Sequence, residues 1–424
     1  MLKRSLLLFG IATVGLSSPD EGIANNAIHP ISLINPVKNF NIFNQSTTNQ
    51  TPQISTASTT AETLTATATN NPSDSVNIVA VGDVMIGSNF PNDGFLPPND
   101  AKDSFKAVLP YLKGDVVFGN LEGAILDNGI STKCPPQTDK DQEITTAKTT
   151  EKPTATKTEN TNTEKAKPRT CYAFRMPERY AQILKNAGFN LMSLANNHVG
   201  DFGDVGRQKT VENLTKVGIH HAGLLSKPTD IFEQNGVKYG FVAFAPNIGT
   251  VNINDLANAK NLVKNLEKQV DIVIVSFHGG AEGAEYVHVP KTMELYLNEK
   301  RGNVYELAHS LIDVGADVVI GHGPHVTRGV ELYKNRFIAY SLGNFNTYGA
   351  FNVRGLNGIA PLINITMNKN GEFLQADVVS IQQTKEKGLQ LDPKHQAFGE
   401  LKRLTALDFP DTPLMFEQQK ILKK

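Results

Sequence analysis

Seven short stretches of this 424-residue chain are apolar almost throughout, and they constrain its fold more than any other feature. They are 77–81 (NIVAV), 115–118 (DVVF), 190–194 (NLMSL), 239–244 (YGFVAF), 271–277 (DIVIVSF), 317–320 (DVVI) and 336–340 (RFIAY). Runs this short, rich in β-branched residues and without polar alternation, suit strands covered on both faces. Helical stripes lie between several of them. Tyr180, Ile183, Leu184 and Ala187 recur at helical spacing, as do Ala259, Leu262, Val263 and Leu266, and again Val304, Leu307, Ala308 and Leu311. Pro177 and Gly188 suit the start and end of the first of these helices. Strands alternating with helices predict an α/β layered domain. Near the end, PLINITMNKNGEFLQADVVSI predicts a hairpin turning at 368–371, and 396–407 predicts a helix in a tail spanning 386–424.

In open α/β sheets, ligands bind at the carboxyl ends of the strands. Those ends are rich in ligand-type residues here. Run 77–81 leads into Asp83, and 115–118 into Asn120 and Glu122. Run 190–194 leads into Asn196, Asn197 and His198, and 271–277 into His278 and Glu282. Run 317–320 leads into His322 and His325, and 336–340 into Asn344. Taken singly, each has an ordinary reading: Asp and Asn cap helices and make turns, and glycines let the chain reverse. Taken together they point to a site. Four of the ten histidines follow predicted strands directly, in company with Asp83 and Glu122, and imidazole with carboxylate suits zinc, manganese or iron. His220 and His221 follow a short predicted strand at 216–219 without being tied to that rim, while His288, His309 and His395 read as surface or packing residues.

The first 75 residues read differently. Lys3 and Arg4 precede an apolar stretch from Leu6 to Leu16 and then small residues, so 1–18 has the layout of a secretory signal peptide. That stretch is shorter than the ~20 residues a membrane span needs. Residues 19–75 are rich in Thr, Asn and Ser and read as a disordered linker. An exported protein is expected, periplasmic, extracellular or attached to the cell surface. Cys134 and Cys171 are the two cysteines of the chain, and an even count in an exported protein predicts a disulfide. It would close the base of a low-complexity insertion at 136–169 that holds almost no large apolar residue. Lys and Arg total 41 against 42 for Asp and Glu, so no basic face is implied and nucleic acid is not an expected partner.

The segments VGDVMIG, GNLEGAI, SLANNHVGDFG, SFHGGAE, IGHGPHVTRGVELY and AYSLGNF occur in that order. As an ordered set over 76–385, outside the insertion, they resemble the CapA family of poly-γ-glutamate capsule biosynthesis proteins. That family resembles the calcineurin-like metallophosphoesterases. The resemblance implies a metallo-dependent phosphatase-like fold, a four-layer α/β/β/α sandwich with a dinuclear metal centre on one rim. It implies Asp83 as the first-strand metal ligand, and Asn120 and Glu122 at the place of the bridging carboxylate, with Glu122 keeping the charge. It further implies Asn197 as an amide ligand, His198 as the catalytic residue that protonates a leaving group, and His278, His322 and His325 as the remaining metal ligands. Glu282 and Asn344 are the expected substrate contacts. Three positions depart from the pattern. Met85 stands where phosphoesterases carry a histidine, and a thioether is a poor ligand for a hard catalytic metal. Gly279 replaces a usual Trp and Gly323 a frequent His, which would open the pocket or thin its ligands.

Two functions are compatible with these residues. One is a metal-dependent hydrolase acting on a phosphoester or on the amide links of an anionic polymer. The other is a non-catalytic polymer-binding or export factor, working with a membrane capsule-synthesis complex and keeping a degenerate metal site.

Overall fold

The computed structural model describes residues 75–134, 171–349 and 351–424. The signal-like segment, most of the linker and the low-complexity insertion lie outside the described residues. In chain order the elements are β1 (Ser75–Met85), β2 (Val116–Leu121), β3 (Ala124–Ile125), β4 (Arg175–Met176), α1 (Tyr180–Ala187) and β5 (Leu191–Ser193). There follow α2 (Gly203–Lys216), β6 (His220–Ala222), β7 (Thr229–Gln234), β8 (Val237–Phe244), α3 (Leu256–Glu267) and β9 (Ile272–His278). Next come β10 (Glu294–Tyr296), β11 (Glu299–Gly302), α4 (Val304–Ile312), β12 (Val318–His322), β13 (Val330–Tyr333), β14 (Arg336–Ala339) and β15 (Asn344–Thr347). The chain closes with β16 (Ile359–Asn368), β17 (Phe373–Thr384), β18 (Gly388–Leu391), α5 (Gln396–Asp408), β19 (Leu414–Glu417) and β20 (Lys420–Lys423).

Two large sheets carry the fold. The first runs β19-β20-β17-β16-β1-β2-β5-β6, with β15 added beside the end of β1 and β18 beside β17. The second runs β13-β14-β12-β9-β8-β7. Each has a parallel centre, β1-β2-β5-β6 in one and β14-β12-β9-β8 in the other, with antiparallel strands outside it.

Apolar continuity along the central strands has a physical cause, because successive side chains enter different cores. Ile78 and Ala80 pack in a core shared with Tyr239, Phe241, Ile272, Ile274, Val318 and Ile320, so the two sheets face each other across it. Val79, Val81 and Val117 point the other way and pack with Tyr180 and Leu184 of α1 and Leu214 of α2. Val273, Val275 and Val319 pack with Ala259 and Val263 of α3 and Leu307 and Leu311 of α4. The order through the molecule is therefore helix, sheet, sheet, helix.

Local signals place the helices. α1 ends at Gly188, whose φ of 107° is a left-handed conformation that glycine adopts freely. Asp255 and Asn303 cap α3 and α4 by accepting from the backbone N–H of Asn258 and Glu306. The hairpin predicted at 368–371 joins β16 to β17. The tail is more than helical: after α5, β19 and β20 pair with each other and β20 pairs with β17, so 414–423 belongs to the first sheet. The strand expected at 216–219 instead begins at His220, within the sheet. Among the described residues no helix is long and apolar enough to cross a membrane.

Candidate metal centre

The parallel registers bring the polar strand ends to one level. Asp83 at the end of β1 pairs with Asn120 of β2 on one side and Asn344 of β15 on the other. His322, the last residue of β12, pairs with His278, the last of β9. The two sheets face each other, so these pairs meet across the core. His325 Nδ1 lies 2.9 Å from Asp83 Oδ2, and His322 Nδ1 lies 3.3 Å from Asp83 Oδ1. Glu122 completes the group, with Oε1 3.5 Å from His325 Nε2 and 4.0 Å from His278 Nε2.

A tight turn makes this approach feasible. Gly279 and Gly323 are packed backbone to backbone: a Cβ on Gly323 would lie 2.5 Å from Gly279 O, and Gly279 N–H donates to His322 O at 2.8 Å. These glycines do not open the pocket, contrary to expectation. They let the ends of β9 and β12 touch, which side chains there would prevent. Two residues on, His325 has φ +58°, sparsely populated for a residue with a Cβ, and in that conformation it reaches Asp83 and Glu122.

Glu122, His278 and His325 offer three ligand atoms within 4.8 Å of one another. Their polar atoms are also largely orphaned. Both carboxylate oxygens of Glu122, Nε2 of His278 and both ring nitrogens of His322 are buried without a hydrogen-bond partner. Most buried polar groups in native proteins are paired, and an unpaired buried charge costs on the order of several kcal/mol. Such a cluster is what a divalent cation would satisfy, and the imidazole and carboxylate donors fit zinc, manganese or iron.

The electrostatics agree with a site short of positive charge. Burial raises the Glu122 carboxyl well above its usual range, and the nearby Asp83 and Glu282 push it the same way. Burial works against the Asp83 charge too, but the close imidazoles of His322 and His325 outweigh it and hold that carboxyl far below normal. Despite its own burial, His325 is pushed up to about 10 by Glu122 and Asp83. His278 goes the other way, held well below its ordinary value by burial and by the Arg301 charge.

A cavity of about 700 Å³ opens beside this cluster. Asn197 and His198 line it, together with Glu282, Arg301, Asn344 and Phe351. Asn197 Oδ1 and Asn344 Oδ1 are buried without partners there. His198 packs against the Phe174 ring, centroids 4.1 Å apart and tilted by 35°, and its Nδ1 is 2.7 Å from Asp201 Oδ2. Burial lowers the His198 pKa, partly offset by Asp201. With Nδ1–H held by Asp201, Nε2 is the ring atom left for a group in the cavity.

Other expected residues take other places. Asn120 donates from Nδ2 to Asp83 Oδ1 at 2.9 Å and accepts at Oδ1 from Asn196 Nδ2 at 3.1 Å. Asn120 thus holds Asp83 through its amide nitrogen, and its Oδ1 keeps a second lone pair for the metal-ligand role expected of it. Glu282 forms a 2.9 Å ion pair with Arg301 on the cavity wall. Met85 packs in the outer-face core with Phe345 and Leu362, away from the cavity lining. Neither His220 nor His221 is among the lining residues; His220 stacks on Phe232 and pairs with Asp230. Cys134 and Cys171 are disulfide-bonded.

Sequence reasoning missed Asp201, Lys133 and Arg301. Asp201 had a signal, since an acid three residues after His198 can turn back onto its ring. Lys133 and Arg301 had none, because the disulfide and the β10–β11 hairpin bring them in.

Comparison with known proteins adds an independent line. Residues 148–348 match the family described as bacterial capsule synthesis protein PGA_cap. The chain is 28% identical over 187 residues to the capsule biosynthesis protein CapA of Bacillus anthracis, covering 40% of this chain and 42% of that protein. It is 29% identical over 184 residues to the PGA biosynthesis protein CapA of Bacillus subtilis, covering 39% and 44%. The matched part thus spans less than half the length of these curated relatives. Among solved structures, a hypothetical protein from Thermus thermophilus aligns with a TM-score of 0.40 at 16% identity, covering 73% of this chain and 100% of that one.

Proposed function

We propose that this chain, which belongs to the CapA family of capsule biosynthesis proteins, is an exported, metal-dependent hydrolase acting on an anionic polymer of the poly-γ-glutamate type. One observation carries the reading. The orphaned ligand atoms of Glu122 and His278 lie within 4.8 Å of a ring nitrogen of His325, and His325 lines the same cavity as His198, whose Nδ1 is held by Asp201. A merely structural cluster would have satisfied those atoms internally.

In this reading Glu122, His278, His322 and His325 hold a divalent cation, with Asp83 orienting the last two. When bound, such a cation lowers the pKa of a coordinated water and polarises a substrate oxygen. The chain's own residues do the rest. Asp201 fixes the His198 tautomer, so Nε2 faces the reacting group, takes up a proton and returns it to the leaving group. Phe174 and Phe351 stack at 4.8 Å and exclude water from that side of His198. Asn197 Oδ1 and Asn344 Oδ1 provide two further acceptors for cation or substrate.

Export rests on the basic-then-apolar order of the first 18 residues. A second reading has its own support. Met85 leaves the centre without the imidazole that phosphoesterases carry at that position, and a centre with fewer ligands suits a polymer-binding factor that does not cleave. The deciding experiment combines metal analysis with a hydrolysis screen on γ-linked glutamate polymer and on phosphoesters. The hydrolase reading expects bound metal, cleavage of polymer, and loss of cleavage with metal retained in His198→Ala. Metal-loaded protein that binds polymer and never cleaves it would establish the second reading instead.

A further inference from the structure

The cavity is electrostatically lopsided. Arg301 sits between Glu282 at 2.9 Å and Glu299 at 3.0 Å with its side chain only 3% exposed, so two carboxylates outweigh its charge, although its Nε and Nη2 make no hydrogen bond. Lys133 lines the same cavity beside His198, with its side chain 38% exposed. Of the basic side chains that line the cavity among the described residues, Lys133 is the most exposed, against 3% for Arg301 and 13% for His325.

Its partners are specific. Lys133 Nζ lies 3.1 Å from Asp201 Oδ1, 3.3 Å from Asn197 O and 3.3 Å from His198 Nδ1. His198 Nδ1 is already engaged by Asp201, so the third of these is adjacency more than bonding. An ammonium group carries three N–H donors. Asp201 and Asn197 take two, which leaves one for a ligand beside His198.

Lysines on free surface loops lose much entropy when they bind. This one is held in advance. Ser131 Oγ accepts from the backbone N–H of both Lys133 and Cys134, and Thr132 N–H and Ser131 O–H both donate to Asp201 O. The Cys134–Cys171 disulfide then ties this turn to the segment that leads through Phe174 into β4, and the Phe174 N–H donates to Asp201 Oδ2 at 2.8 Å. Both arms of the chain therefore converge on Asp201, and Lys133 is fixed by them. Tyr172 and Phe174 line the same cavity and lower the local dielectric, which strengthens a contact to an anion.

We propose that Lys133 is a specificity-determining residue that binds one substrate carboxylate next to the bond addressed by His198. The inference rests on the polymer reading above and sharpens it. Each repeat of a γ-linked glutamate chain carries one free carboxylate, and the Glu282–Glu299 side of the cavity would repel it. The carboxylate therefore sits at Lys133 rather than against Glu282 and Glu299, which sets the direction in which the chain lies.

The test uses the full oxidised protein and two probes, a γ-linked glutamate oligomer and the same oligomer with its free carboxylates amidated. Dissociation constants are read by fluorescence anisotropy within seconds of mixing. Wild type should prefer the charged oligomer by roughly tenfold, the size of one charge-assisted contact. Lys133→Ala and Lys133→Gln should lose that preference while binding the amidated oligomer as wild type does, and Lys133→Arg should keep most of it. Unaltered preference in both neutral variants, or an equal loss for the two oligomers, overturns the proposal and leaves the polymer reading standing. Wild type binding neither oligomer overturns the polymer reading and this proposal together.

Discussion

Acidic side chains stand at both ends of the parallel strands, and Glu122 at the carboxyl end is treated oppositely to three aspartates at the starts. At the starts, Asp115, Asp271 and Asp317 precede β2, β9 and β12. Each accepts a backbone N–H from the neighbouring strand at 2.8 Å, from Asn77, Lys238 and Val273 respectively. Each also donates its own N–H to the carbonyl of that same residue. At the carboxyl ends, both oxygens of Glu122 and several imidazole nitrogens have no partner. Residue type is thus a poor guide to function. Whether the polar atoms are satisfied separates closure of the sheet edge from a site kept open for something else.

The strongest way to break this comparison is through catalysis. His198→Ala and Asp201→Ala should each lower polymer cleavage by roughly 10²–10⁴-fold, the usual worth of a general acid–base group, with metal content unchanged. Asp271→Ala, at the amino end of a strand of the second sheet, should leave turnover within about twofold of wild type, the size expected for a substitution away from reacting groups.

Reduction of the disulfide acts on one end only. It should cost about 3–4 kcal/mol of stability in the chain-entropy picture and loosen Lys133 and Asp201 before the strand starts. Hydrogen exchange under reductant checks this, with faster exchange expected at Thr132 and Phe174 and little change at Val273.

Paired stability measurements on metal-free protein sharpen the contrast further. Glu122→Leu removes an unpartnered buried carboxyl and should raise stability by about 1–3 kcal/mol while losing any rise in melting temperature on adding metal. Asp317→Ala orphans the Val273 N–H and should lower stability by about 1–3 kcal/mol with the metal response intact. Denaturant melts with and without metal distinguish them, and destabilisation by Glu122→Leu would count against the contrast.

The smallest effect is pH-dependent. Burial pushes the Asp317 carboxyl up to about 6, against the backbone N–H of Val273 and the charge of Arg336. Its folded pKa lies above the unfolded one, so the folded state holds this proton more tightly. The group's contribution is then largest below about pH 4 and is lost as pH rises to about 6, on the order of 1–3 kcal/mol. Asp317→Asn should remove that slope, read as the difference between variant and wild-type stability across this window.

Much of this was legible in the sequence, for physical reasons. Strands buried on both faces must be apolar throughout, so all seven runs marked strands. The helices with wide apolar faces, α1, α3 and α4, were equally visible. α2 was not, because its buried face carries Gly206, Thr210 and Asn213 as well as Leu214 and shows no apolar stripe. β19 and β20 were hidden in a tail too short to alternate clearly. In the site, the polar residues that end strands could be read from position. Residues delivered by a disulfide or a hairpin, Lys133 and Arg301, depend on long-range closure that spacing does not encode. Gly279 and Gly323 were misread because a missing side chain can mean open space or a close backbone contact, and the packing decides which.

The central claim is that Glu122, His278, His322 and His325 hold a divalent cation. The most direct measurement is equilibrium dialysis of chelator-treated protein against zinc or manganese, followed by elemental analysis of wild type, Glu122→Gln and the His278→Ala/His325→Ala double variant. The account predicts about one equivalent or more in wild type, as a closed set of protein ligands requires, and a loss of most of it in both variants at matched free metal. Equal metal content in all three proteins, or none in any, would contradict it.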